Sequence, residues 1–109
     1  MKLDFHPKAL ADIEQAEAYY RDKLPSLGLR FISDLEEALG RVQKQPYLYR
    51  EVMPSIRKCR LKHFPYALLY REQTQRIQIV AVIHLRKDPS SWLSGVHEPS
   101  SSYITSENS

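Results

Sequence analysis

Arg76-Ile77-Gln78-Ile79-Val80-Ala81-Val82-Ile83-His84-Leu85-Arg86-Lys87-Asp88-Pro89-Ser90-Ser91-Trp92 starts as a β-branched apolar run and ends in polar, titratable groups. From Val80 to Ile83 it is apolar on both faces, so residues 76–85 read as a central strand. Period two puts Val82, His84 and Arg86 on one face and Ile83 and Leu85 on the other. His84 and Arg86 are then same-face neighbours at the end of a rigid element, a good place to mount a site.

Residues 66–72 read as a strand joined to this one by the short turn Gln73-Thr74-Gln75. Residues 55–63 also alternate: Ile56, Lys58, Arg60 and Lys62 point one way, and Arg57, Cys59, Leu61 and His63 the other. Phe64-Pro65-Tyr66 marks a bulge or bend between these strands, because proline cannot donate to a ladder. Residues 47–54 read as a loop. The strands make an antiparallel meander with one face in need of cover.

Two helices supply that cover. After a short first strand at residues 2–5, His6-Pro7 opens a helix, with proline where its missing N–H costs nothing. Ala9, Ile13, Ala16 and Tyr20 recur at helical spacing, and Glu17 and Arg21 can pair on the outer face. Leu24-Pro25-Ser26-Leu27-Gly28 breaks this helix. A second follows, with Phe31, Leu35, Ala38, Leu39 and Val42 on one face and Pro46 as its stop. The expected fold is α+β, in the order β-α-α-β-β-β: an antiparallel sheet with a two-helix antiparallel hairpin on one face. Tyr20, Phe31, Leu35, Leu39, Leu68, Ile79, Ala81 and Ile83 are expected to be buried between helices and sheet. Residues 1–93 form the expected domain. Residues 94–109, with six serines and no periodicity, read as a mobile tail.

The net charge of +3 is unevenly spread. Residues 1–50 are neutral, 51–93 carry +5, and 94–109 carry −2. A basic second half fits a polyanionic or acidic protein partner, or a solvated basic surface. The single Cys59 cannot form an internal disulfide and reads as a small buried hydrophobe in a reducing, cytoplasmic setting. Neither a secretory signal nor an apolar run of the roughly 18–20 residues that a membrane span needs is visible. No ligand spacing relates His6, His63, His84 and His97, and Gly28, Gly40 and Gly95 are scattered, so neither a metal, a phosphate loop nor any cofactor is expected.

His84 reads in two ways: as a general acid/base or phosphate donor beside Arg86 and Lys87, or as a strand-end histidine that holds the following loop. Arg86 is either an anion clamp or the partner of Asp88. Lys58, Arg60 and Lys62 form a basic stripe that wants solvent or an anion. Arg57 shares the more apolar face and needs a partner, Glu51 or Asp88. Tyr47, Tyr49, Tyr66 and Tyr70 interleave with Arg50, Arg57 and Arg71, compatible with RNA contact and with core-edge tyrosines. Trp92 reads as a lid on the end of the core.

Taken in order, Ala9, Ile13, Tyr19-Tyr20, Leu27-Gly28, Arg30-Phe31, Leu35, Leu39, Pro46, Ile56-Arg57, Phe64-Pro65-Tyr66, Tyr70, Ala81-Val82-Ile83-His84, Arg86, Asp88-Pro89 and Trp92 resemble the ParE/RelE superfamily. These are toxins of prokaryotic type II toxin–antitoxin modules, often called plasmid stabilisation proteins. The resemblance covers residues 1–93 and implies a curved antiparallel sheet under a helical hairpin. It also implies a cognate antitoxin that wraps and neutralises the toxin, and an oligomer formed with it. His84-Leu85-Arg86-Lys87-Asp88-Pro89 resembles the ParE-like group, which poisons DNA gyrase. The alternative is a RelE-like, ribosome-dependent mRNA endoribonuclease, with His84, Arg86 and Arg57 as its catalytic residues. A third reading is a non-toxic nucleic-acid-binding module. The surface that meets target or antitoxin is expected to include Arg57, Lys58, Arg60, Lys62, Tyr66, Arg71, Arg86, Lys87 and Trp92.

Overall fold

A computed structural model describes residues 1–86. The element order is β1 (Lys2–Phe5), α1 (Pro7–Lys23), α2 (Pro25–Lys44), β2 (Glu51–Met53), β3 (Ile56–Arg60), β4 (Tyr66–Gln73) and β5 (Arg76–His84). One five-stranded sheet runs β1-β5-β4-β3-β2. The strands β2 to β5 are antiparallel neighbours, and β1 lies parallel to β5. The α+β arrangement, a helical pair against a meander, is the expected one. Two details extend it. β1 returns parallel beside β5, and three residues of the segment read as a loop pair with β3 as a short edge strand.

Local chemistry fixes the helices. His6 is extended and its Nδ1 accepts the Lys8 N–H at 3.0 Å, so a histidine caps α1 ahead of Pro7. Pro25 forces the preceding Leu24 into the extended region (φ −165°, ψ 126°), which ends α1 and starts α2 after a single residue. Residues 26–28, read as part of the break, are therefore the first turn of α2. Gly28 sits against α1. A Cβ there would lie 2.9 Å from the Arg21 Cβ and 3.3 Å from its Cα.

The main core lies between helices and sheet. Phe31, Leu35, Ala38 and Val42 of α2 and Ala9 and Ala16 of α1 pack on Cys59, Leu68, Tyr70, Ile77, Ile79 and Val82. Each large apolar side chain buried there contributes roughly 1.5–3 kcal/mol. Tyr20 and Leu39 are half-buried at its margin. A second cluster, Ile56, Ala67, Leu69, Val80, Ala81 and Ile83, occupies the opposite face of the sheet.

A β-bulge divides β5 between these two clusters. Tyr70 pairs with Ile79 and Leu69 with Ala81, so Val80 is the extra residue. Strict alternation is broken there: Ile77, Ile79 and Val82 face the helices, whereas Ala81 and Ile83 face away. This corrects the expectation that Ala81 and Ile83 lie under the helices; they are buried, but on the other face. The basic stripe is also shorter than expected. β3 ends at Arg60, and Lys62 lies beyond it with its Nζ 3.4 Å from the Glu37 carboxylate of α2. No helix among the described residues is long and apolar enough to cross a membrane.

Candidate functional site

The end of β5 opens into a cleft of about 470 Å³ between α1, the Phe64-Pro65-Tyr66 bend and the strand itself. Ala16 and Val82 form its floor, Tyr19, Tyr20 and Tyr66 its aromatic walls, and Asp12, Gln15, His84 and Arg86 its polar lining. The helical face Asp12, Ala16, Tyr19 and Tyr20 reaches this place because α1 packs along β5.

Two buried or half-buried carboxylates hold the frame. β1 stops at Phe5, opposite Ile79, so among the described residues no strand pairs with β5 beyond that point on this side. Asp12 takes over: its Oδ2 accepts the Val82 N–H at 2.9 Å and pairs with Lys8 at the same distance. Asp34, only 5% exposed, accepts the N–H groups of His63 at 2.8 Å and Phe64 at 2.9 Å. These two bonds pin the bend that carries Tyr66. From the other side, Leu85 N–H donates to the Pro65 carbonyl at 2.9 Å.

The Tyr20 and Tyr66 rings are locked against the core rather than hung over solvent. Tyr20 meets Phe64 at 4.8 Å and Tyr66 at 6.1 Å between centroids, and Tyr66 meets Phe31 at 5.3 Å. Tyr66 also meets the His84 ring edge-on at 4.9 Å. The His84 Nδ1 accepts the Arg86 N–H at 3.1 Å, which fixes the ring against the strand exit. Burial, and then the neighbouring Tyr20, pushes the Tyr66 phenol above its ordinary value, so at neutral pH it is an uncharged hydrogen-bonding group. The cleft therefore offers an aromatic slot with an exposed guanidinium at its mouth. Among the described residues, no three His, Cys, Asp or Glu side chains converge as a metal site would require.

A family model described as the ParE toxin of type II toxin–antitoxin systems, parDE, matches residues 3–89. The chain belongs to the ParE toxin family. A solved structure described as a chromosomal ParDE toxin–antitoxin system from P. aeruginosa is similar in fold. Its TM-score is 0.71 at 22% identity, over 79% of this chain and 97% of that one. No curated protein matches in sequence.

In this ParE-family chain, the described residues singled out from the sequence, apart from Lys62 beside Glu37, fall into three places. His84, Arg86 and Tyr66 share the cleft. Arg57 does not join them. Its Nη1 donates to the Tyr49 carbonyl at 2.6 Å, its guanidinium lies 3.8 Å from Glu51 and it stacks over the Tyr47 ring at 5.7 Å. Arg57 stands opposite Tyr70 and His84 opposite Tyr66, four residues away along β4. That is roughly 13 Å along the strand alone. Lys58, Arg60 and Arg71 belong to the sheet face that carries the second cluster, with Arg71 donating to Gln78 at 2.9 Å. Asp88, one of two partners considered for Arg57, and also Lys87 and Trp92, lie outside the described residues, as does the segment read as a tail.

Sequence reasoning missed Asp12, Gln15, Tyr19 and Asp34. The spacing 12, 15, 16, 19, 20 is one helical face, and the mixture of carboxylate, amide and paired tyrosines on it was the available signal. For Asp34 the signal was a lone carboxylate inside the apolar stripe of Phe31, Leu35 and Ala38.

Proposed function

We propose that this ParE-family toxin arrests growth by binding DNA gyrase and trapping it, rather than by cutting RNA, and that a cognate antitoxin holds it inactive. The observation that carries the reading is the separation of the groups a nuclease would need together. Cleavage of RNA through its 2′-hydroxyl requires a base, charge stabilisation for the phosphorane-like state and an acid at the leaving oxygen. Here His84 and Arg86 share a cleft, but Arg57 is engaged by Tyr49 and Glu51 elsewhere. Among the described residues, the sheet face away from the helices offers no substitute: its centre is Ile56, Ala67, Leu69, Ala81 and Ile83, and its cations Lys58, Arg60 and Arg71 flank them. That centre is buried, so what this face presents is its spread cations, which suit an acidic protein partner.

The test is induction in a bacterium, with the DNA-damage response and mRNA integrity followed together. Gyrase-linked strand breaks with intact mRNA are expected. Codon-phased mRNA cuts that vanish in His84→Ala would overturn the reading in favour of a ribosome-dependent nuclease. A well-folded chain with no growth defect would overturn toxicity itself.

A further inference from the structure

We propose that the cleft between α1 and the end of β5 is the socket for one aromatic side chain of the antitoxin, with an acidic residue beside that side chain held by Arg86. The inference rests on reading the chain as an antitoxin-controlled toxin; it does not depend on gyrase being the target.

The socket is built in advance. Tyr20 and Tyr66 are braced by Phe31 and Phe64, so an incoming ring meets walls whose rotamers are already fixed. Tyr20 and Tyr66 pack edge to face, the arrangement aromatic rings prefer among themselves. Ala16 and Val82 give the floor depth without polar demand. At the lip, Tyr19 is 55% exposed, an area that a bound segment would cover. Tyrosine and arginine around a pocket are the composition in which a few residues carry most of an interface's binding energy.

Charge selects the neighbour of that ring. Arg86 is exposed at the mouth and the guanidinium fork suits one carboxylate. A nucleotide is less well served. Asp12 contributes a carboxylate to the lining, and its bonds to Val82 and Lys8 keep it in place. A polyanion would meet that charge, whereas a single acidic side chain at the mouth would not.

The experiment measures the affinity of the full chain for the antitoxin encoded beside it, by titration calorimetry. Tyr19→Ala and Arg86→Glu alter exposed positions, so melting temperatures are expected to hold. Each substitution is expected to weaken antitoxin binding about ten-fold or more. Leu29→Ala, 74% exposed on the other helix, is expected to leave it unchanged. Affinities within two-fold for both Tyr19→Ala and Arg86→Glu would overturn the socket. Growth arrest by the unsubstituted chain is scored separately, so failure of the toxin reading and failure of the socket are told apart. As a direct probe, N-acetyl-Phe-Glu-amide is expected to shift the amide resonances of Ala16 and Val82. Uridine monophosphate shifting them while the dipeptide does not would overturn the inference in favour of a nucleotide site.

Discussion

Asp34 and Asp12 show how single carboxylates position larger parts. Each reaches from a helix to a backbone N–H in the sheet layer: Asp34 to His63 and Phe64, Asp12 to Val82. Asp34→Ala leaves two N–H groups without acceptors, at about 1–3 kcal/mol each, and thermal unfolding should show the loss. Tyr70 is fully buried and donates to the Pro46 carbonyl at 2.7 Å, so Tyr70→Phe orphans that carbonyl and is expected to cost about 1–3 kcal/mol. Titration follows the same burial. Burial raises the Cys59 thiol, with Arg41 only partly offsetting it, and burial raises the Tyr66 and Tyr70 phenols. Above the ordinary thiol and phenol values the unfolded chain releases protons that the folded chain keeps. Stability therefore falls as pH rises through that range and is fully present below it. Melting temperature is expected to decline between about pH 8 and 11. Cys59 should resist alkylation in the folded chain; fast native labelling would contradict its burial.

The two helices and their short connection make a sharper prediction at the scale of elements. Gly28 and Gly40 both lie in α2, yet a Cβ at Gly28 meets Arg21 at 2.9 Å and one at Gly40 meets nothing within 4 Å. Gly40→Ala is expected to stabilise by about 0.5–1 kcal/mol from helix propensity alone. Gly28→Ala gains the same propensity but forces the helices apart, and overpacking of about 1–3 kcal/mol outweighs it. Opposite shifts in melting temperature are the expected result. The helical pair was legible because its apolar stripe and its prolines are local signals: Pro7 and Pro25 each stand at a first helical position. The strands β3, β4 and β5 were legible from alternation and turns. The bulge at Val80 was not, because residues 79–83 are all apolar and a slip of one leaves no polar residue misplaced. The parallel pairing of β1 was not either, since four residues do not say which strand they will join. At the site, His84 and Arg86 were legible as same-face neighbours of one strand. Tyr19 and Asp12 reach them only through the packing of α1 on β5, which no local pattern encodes.

At the scale of the whole molecule, the basic half of the chain and the sheet topology act together. The +5 of residues 51–86 falls on the strands and turns, while the helical half is neutral. On the sheet face away from the helices, Lys58, Arg60 and Arg71 flank a buried apolar centre instead of converging on one point. That arrangement favours grip over bond cleavage, which is the core of the proposal that this ParE-family toxin works by binding. Purified gyrase, supercoiled plasmid and increasing amounts of the folded full-length chain test it most directly. The expected result is loss of supercoiling activity with accumulation of gyrase-linked DNA breaks, reversed by antitoxin. Gyrase left fully active at a large excess of chain, while the same preparation cuts ribosome-bound mRNA, would contradict it.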